Sequence, residues 1–479
     1  MREAAALALL LLAGCAVGPD FLRPEPPKGA RYTAADLPAA TAPAAGETQL
    51  FGVGHDIPAE WWTLFRSPRL NALIEQALKA NPNIEAAKAA LVQAHELTLS
   101  GEAAFFPTVQ GSAGASRNLT PTSTLSPATA TGNPYYSLYT TQLTVSYMPD
   151  VFGGTRRQVE ALAATEESQR FQLEAAYLTL TGNLVAAVVT EAALEGQVAA
   201  TEESIRTQRE SLDILNRQLA LGQAAGADVA VQQAALAQAE SALPPLQKQV
   251  AQQRHLIAVL GGRLPGEGAE APFDLATIHL PADVPISLPS QLVEHRPDIR
   301  AAEANLHAAS AEIGVAIANM LPQITLSGNL GAAALTAGAL FGPGTEVWSI
   351  GANATQTLFD AGALLHKKRA AEAAFDEAKA QYRATVLNAF QNVADALRAL
   401  QSDADALNAA IKAEQAARDS LNIAQRQLKL GAIAPLALLT AEQTYAQTRL
   451  GLVIAEAARL ADTAALFQAL GGGWWEGKK

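Results

Sequence analysis

Along the chain the spacing of apolar residues changes from helix to strand and back, twice. Pro82 and Pro297 suit the first turn of a helix, where a missing N–H costs nothing. Apolar residues then recur at helical intervals until Pro107 and Pro322. After those prolines the period becomes two. In 138–148, Tyr139, Thr141, Leu143, Val145 and Tyr147 share one face, and Thr140, Gln142, Thr144 and Ser146 the other. In 323–331, Ile324, Leu326 and Leu330 oppose Gln323, Thr325, Ser327 and Asn329. In 347–359, Trp348, Ile350, Ala352 and Ala354 oppose Ser349, Asn353, Thr355 and Thr357. Small residues alone mark a weaker fourth strand at 108–117. Strands are therefore predicted at about 107–118, 137–149, 322–334 and 346–359. Residues 119–136, rich in Thr, Ser, Pro and Asn, and 336–345, rich in Gly, read as exposed loops.

Two stretches, 155–221 and 363–430, contain no proline, and their only glycines are Gly182 and Gly196. As helices each would extend about 100 Å at 1.5 Å per residue. After Gly222 and Gly431 the chain turns and returns as helix, so long antiparallel helical hairpins are predicted. Pro244-Pro245 is expected to break or kink the first returning helix. Landmarks recur in the same order. Asn81-Pro82-Asn83-Ile84 matches Arg296-Pro297-Asp298-Ile299, Phe106-Pro107 matches Leu321-Pro322, and 217–222 matches 426–431. Each half closes on Leu-Gly-Gly, at 260–262 and 470–472. Two copies of one unit are expected, at 66–262 and 289–473, joined by a proline-rich linker at 263–288. An N-terminal segment, 15–65, precedes them and a short tail, 474–479, follows.

Four strands of about ten residues, apolar on one side and Ser/Thr/Gln on the other, have the length and alternation of a transmembrane β-barrel. A soluble alternative packs two half-buried hairpins on helices, but no apolar helix face is left over to cover them. Four strands cannot close a barrel, and an open edge in lipid leaves backbone groups unpaired. Three chains would supply twelve.

Composition narrows the function classes. The 479 residues carry a net charge of −12 and only 17% charged residues, which argues against a nucleic-acid partner. One cysteine excludes a disulfide framework and any CxxC site. The longest apolar run, 4–13, is too short to span a bilayer, which takes about 20 residues. That run is better read as an export signal over 1–14. Arg2 is a minimal positive region, and Leu12-Ala13-Gly14-Cys15 resembles the bacterial lipobox, in which Cys15 carries the lipid. Several acyl chains on Cys15 would anchor the chain firmly. Ala16 after the cysteine resembles lipoproteins sorted to the outer membrane.

These residues together resemble a family. Trp61-Trp62 with Phe65 and the stretch 70–81 looks like the start of the outer-membrane efflux channels similar to TolC and OprM. The run 15–24 is similar to the lipoprotein start of the branch serving resistance-nodulation-division pumps, and 295–303, 358–362 and 386–397 resemble that branch too. The resemblance implies a mainly α protein with membrane β, a homotrimer whose twelve-stranded barrel continues into a long periplasmic helical barrel. It implies a non-enzymatic channel without cofactors, which accepts small molecules from an inner-membrane pump through a periplasmic adaptor. A type I protein-secretion channel shares the architecture and stays as an alternative, as does a soluble helical scaffold.

No catalytic constellation is present: seven histidines are scattered without a metal-ligand motif, and Gly52-Val53-Gly54 lacks the third glycine of a phosphate fingerprint. In the family, carboxylates near the periplasmic hairpin tips ring the closed pore. Asp228 fits that position in the first copy, against the alternative of a helix-start residue near the positive end of the helix dipole. Ala437 and Thr440 stand where relatives similar to TolC carry aspartates. The tips around Gly222 and Gly431 are candidates for adaptor contact, or plain turns. Trp61-Trp62 is read as packing.

Overall fold

Prolines open the helices: Pro68, Pro289 and Pro435 sit in first turns, and Pro82 and Pro297 are first residues. The computed structural model describes residues 16–26, 31–33, 37–119, 135–267 and 271–475. In chain order the elements are β1 (Leu50–Val53), α1 (Pro68–Ala80), α2 (Pro82–Glu102), β2 (Thr108–Leu119), β3 (Tyr135–Tyr147), α3 (Gly154–Ala220) and α4 (Gly226–Leu260). There follow β4 (Asp283–Ile286), α5 (Pro289–His295), α6 (Pro297–Ala318), β5 (Gln323–Ala334), β6 (Glu346–Thr355), α7 (Ala363–Lys429) and α8 (Pro435–Ala469). On either side of 263–288 the succession is two helices, two strands, a 67-residue helix and a 35-residue helix. The chain forms two compact units. One takes Leu91–Gln169 and Ala302–Tyr382 with the described residues up to Pro24; the other takes Glu25–Ala90, Arg170–Ala301 and Arg383–Lys479.

The first unit holds an antiparallel sheet in the order β2-β3-β5-β6. Its register aligns the alternation of all four strands. Leu143 lies opposite Gly111 and Leu330, and Leu330 opposite Trp348; Val145 lies opposite Val109 and Gly328, and Gly328 opposite Ile350. One residue along, Thr144 faces Gln110 and Asn329, and Asn329 faces Ser349. Directly opposed residues share a face, so one face is mainly apolar, with Arg117 and Glu346 on it at the loop-side ends, and the other is mainly hydroxyl and amide. The polar face is knitted together. Gln142 Nε2 donates to Asn329 Oδ1 (2.9 Å) and Thr144 Oγ1 (3.1 Å), and Asn329 Nδ2 donates to Ser349 Oγ (3.1 Å). β2, weak by its own sequence, is held by pairing along its whole length with β3.

Acidic residues start both long helices. Asp150 accepts from the backbone N–H of Thr155 (3.0 Å) and Arg156 (2.9 Å), and Asp360 from Leu364 (2.8 Å) and Gly362 (2.9 Å). The Leu364 N–H, with its neighbours, holds the half-buried Asp360 carboxyl below its usual range. Residues 17–23 are clamped onto the same unit. Arg157, nearly buried, donates to the Val17 carbonyl (3.1 Å) and to Asp20 Oδ1 (2.7 Å); Phe21 stacks on His307 at 4.4 Å, and Arg23 pairs with Glu303 at 2.8 Å.

The second unit is helical around an aromatic core. Trp61, Phe65 and Phe467 are fully buried; the Phe467 ring lies 5.6 Å from Trp61 and 6.3 Å from Phe65. α3 contains a window apolar enough to cross a membrane by length and composition, yet Leu184, Val185, Val188 and Val189 of this helix are buried in the unit. The two glycines of α3 mark close approach to α8. A Cβ at Gly182 would come within 2.6 Å of Gln468, and one at Gly196 within 3.0 Å of Val453. The prolines at 244 and 245 do not end the returning helix: α4 runs through both. The carbonyls they leave without a helical donor, on Glu240 and Ser241, belong to exposed residues that water reaches. The stretch 263–288 carries β4, which pairs in parallel with β1 of the N-terminal segment, Phe51 opposite Val284.

The N-terminal segment is further held by a buried arginine. Arg459 of α8, 2% exposed, donates to the Ala44 carbonyl (3.2 Å) and Gln49 Oε1 (3.4 Å), while Gln49 Nε2 donates to Thr463 (3.1 Å). Nearby, Asp403 of α7 faces Asp462 of α8. Burial, then the hydrogen bond and repulsion from Asp462, push Asp403 up to about 7 against the partial relief of Arg459. The folded state then holds a proton that the unfolded chain releases near pH 3.9. Its stabilisation is complete below about pH 4 and is lost as the pH rises through 7. Melting temperature should therefore fall between about pH 4 and 7 and level off above, and Asp403→Asn should flatten that slope in a calorimetric pH series.

Candidate functional site

Two features have the chemistry of a conduit: the sheet of the first unit and the helix ends of the second. The apolar face of the sheet is bare. Leu143 is 47% exposed, Leu330 62%, Trp348 73% and Ile350 84%. A patch of this breadth marks a surface that meets another apolar phase. β2 and β6 form the two edges, and among the described residues neither pairs with a further strand. Aromatic side chains flank the strands. Phe106 and Phe359 are exposed next to the helix-side ends, and Tyr135, Phe341 and Trp348 are exposed towards the loop-side ends. Aromatic girdles at both interfaces are a property of membrane barrels. No charged residue lies on the polar face of any of the four strands.

The helix ends are built alike. After α3, Gly222 takes φ 72°, its N–H donates to the Leu219 carbonyl (2.9 Å), and Gln223 N–H donates to the Gln218 carbonyl (2.8 Å). After α7, Gly431 takes φ 69°, with its N–H on Leu428 (2.9 Å) and Ala432 N–H on Gln427 (2.8 Å). Both are Schellman closures, which need the left-handed conformation that glycine adopts without strain. Leu221, Leu430 and Leu436 are exposed beside them. Beneath the tip, Leu421, Ala424, Leu438 and Ala441 pack α7 on α8.

Asp228 is the third residue of α4. It is half-buried, and its carboxylate reaches back to the Ala225 N–H at 3.4 Å, while its own N–H donates to the Ala225 carbonyl at 3.1 Å. This is the reciprocal half of a capping box. Ala437 makes the same backbone bond to Ala434 (3.0 Å) at the third residue of α8, so it occupies the corresponding position without an acid. Trp61 and Trp62 are buried, Trp61 against Phe65 and Phe467. Cys15 lies outside the described residues. Sequence reasoning missed the Arg157 and Arg459 clamps, whose partners lie more than a hundred residues away along the chain. No local pattern marks them.

Comparison with known proteins fits this geometry. The family model described as outer membrane efflux protein matches residues 73–262 and again 288–472. The chain is 30% identical over 475 residues to the probable efflux pump outer membrane protein TtgC of Pseudomonas putida, covering 98% of this chain and 95% of that one. It is 30% identical over 489 residues to the cation efflux system protein CusC of Escherichia coli, covering 97% of each. Among solved structures, the outer-membrane channel OprN superposes with a TM-score of 0.86 at 28% identity, over 96% of this chain and all of that one. The chain belongs to the outer membrane efflux protein family. It is an efflux component of the outer membrane, and the protein-secretion alternative is not favoured.

Proposed function

We propose that this chain forms a homotrimeric exit duct of a tripartite efflux pump, in which three four-stranded sheets close a twelve-stranded barrel and the paired long helices form a periplasmic helical barrel. The observation that carries this reading is the sheet, with an apolar face in register across four strands and two unpaired edges. Lipid accepts the face but not the edges; copies of the same chain satisfy both. The two matches of the family model and the recurring succession of elements support a duplicated unit, with each copy supplying two strands and one helical hairpin. The exposed tips around Gly222 and Gly431 would meet a periplasmic adaptor, which links the duct to an inner-membrane pump of the resistance-nodulation-division type. Purified protein should run in detergent with the mass of three chains and give discrete conductance in planar bilayers. A monomer without conductance would sink the proposal.

Lipidation of Cys15 belongs to the same proposal. The next residue, Ala16, packs against Gly153, shortly after the end of β3, which suits an anchor near the rim of the sheet. Cys15→Ser should abolish palmitate labelling and leave the oligomer intact, because barrel closure rather than lipid buries the strand edges. Label that persists in the variant would refute the lipobox reading.

Asp228 is proposed to ring the closed tip in three copies and to bind cations there. Asp228→Asn keeps an acceptor for the Ala225 N–H and removes only the charge. It should weaken divalent-cation block of single-channel current with little change in melting temperature. Asp228→Ala should do the same and also lose up to about 1 kcal/mol with the cap. Unchanged block in both variants would leave Asp228 as a capping residue alone.

A further inference from the structure

The two edges of the sheet belong to equivalent hairpins. Thr108 opposite Ser146 opens the β2–β3 hairpin just after Pro107, and Gln323 opposite Thr355 opens the β5–β6 hairpin just after Pro322. β2 is thereby equivalent to β5, residue for residue from Thr108 and Gln323, and β3 to β6 from Ser146 and Thr355. The chain already shows how two such hairpins join. β3 pairs with β5, with Tyr139 opposite Ala334, Leu143 opposite Leu330 and Val145 opposite Gly328. Replacing each residue by its equivalent gives the register in which β6 would meet the β2 of a second copy. Trp348 then falls opposite Leu119, Ala352 opposite Ala115 and Ala354 opposite Ala113.

The edges themselves agree with this register. Direction alternates along the order β2-β3-β5-β6, so β6 runs antiparallel to an incoming β2. Residues of the apolar face meet residues of the apolar face, which a slip of one position would reverse. The lengths also match. Period-two alternation in the sequence runs on to Phe359, but β6 stops at Thr355, because its partner β5 begins at Gln323 and Pro322 has no N–H to donate. Leu358 and Phe359 are left 92% and 89% exposed. In this register residues 348–359 lie opposite the whole of β2, with Leu358 opposite Val109 and Phe359 opposite Thr108. A slip of two positions sets Leu358 against Pro107 in one direction and against Gly111 in the other.

We propose that β6 of one copy and β2 of the next pair over residues 348–359 and 108–119 in this register, drawing 356–359 into the strand. The inference rests on the closed-barrel reading above and adds the residues that seal its seam.

Cysteine pairs in the full chain, oxidised in outer-membrane vesicles, test it. Directly opposed residues of an antiparallel pair have Cα atoms about 4.5–5.5 Å apart, inside the span of about 4.4–6.8 Å that a disulfide bridges. Diagonal neighbours, at about 7–8 Å, lie outside it. Within one chain β2 and β6 are three strand spacings apart, about 14 Å at about 4.8 Å each, so a disulfide between them must join two copies. Ala354→Cys with Ala113→Cys, and Ala352→Cys with Ala115→Cys, should give covalent dimers and trimers on non-reducing denaturing gels. Both should form at least tenfold faster than in Ala354→Cys with Ala115→Cys or Ala352→Cys with Ala113→Cys, which report slips of two positions in either direction. The parent chain, with Cys15 as its one cysteine, supplies the background. Faster cross-linking of a mismatched pair, or none in any pair of a protein that runs as a trimer in detergent, would overturn the register and leave the barrel standing. No cross-link in a protein that runs as a monomer would sink both.

Discussion

Leu143→Arg should impair membrane assembly by about 2–4 kcal/mol per chain if the site lies near the bilayer midplane, whereas Thr144→Arg, one residue along, should assemble and alter conductance. The contrast follows from the register. Leu143 is flanked across the sheet by Gly111 and Leu330, and Trp348 lies beyond Leu330, so a guanidinium there would sit in the middle of the apolar face. Thr144 lies between Gln110 and Asn329, among groups that can solvate a new charge. Ile350→Arg repeats the test from an edge strand and should behave as Leu143→Arg does. Heat-stable oligomer recovered from outer-membrane fractions gives the readout. Equal effects at 143 and 144 would mean that the assignment of a lipid face and a lumen face is wrong.

Phe467→Ala should be the most destabilising single change in the helical unit, at about 3–5 kcal/mol. The side chain is fully buried and touches both Trp61 and Phe65. Those rings come from a rigid short turn and α8 from a packed helix, so the void cannot collapse cheaply. The loss should appear as a lower melting temperature of the helical signal, with the strand pairing of the other unit little changed. Phe467→Leu, which retains most of the volume, should recover much of it. A melting curve for the alanine variant that superposes on the parent would mean that this cluster is not a stability centre.

Much of this was legible in local pattern. Period-two alternation placed β3, β5 and β6 within a few residues of their ends and assigned their faces correctly, because alternation acts through the pleat of each strand alone. Gly222 and Gly431 marked both helix ends because a Schellman closure needs a left-handed residue. β2 was only faintly marked, since Gly, Ala and Ser carry little β preference; its partner β3 supplies the order. Pro244-Pro245 does not break the returning helix, because the carbonyls that the prolines leave without a donor belong to exposed residues.

The sequence by itself determined the order of helices and strands, the duplicated landmarks, the two faces of the sheet and the tip glycines. Each of these depends on interactions over a few residues, and periodicity reports them directly. Only the tertiary structure decided the rest. It paired β1 with β4 across more than two hundred residues, placed Arg459 under the N-terminal segment, and brought Asp403 to Asp462. It also showed Asp228 reaching back to Ala225 as a cap, a contact that its position near the tip had left open. Such contacts join side chains whose separation along the chain carries no periodic signal, so they become fixed only when the helices pack.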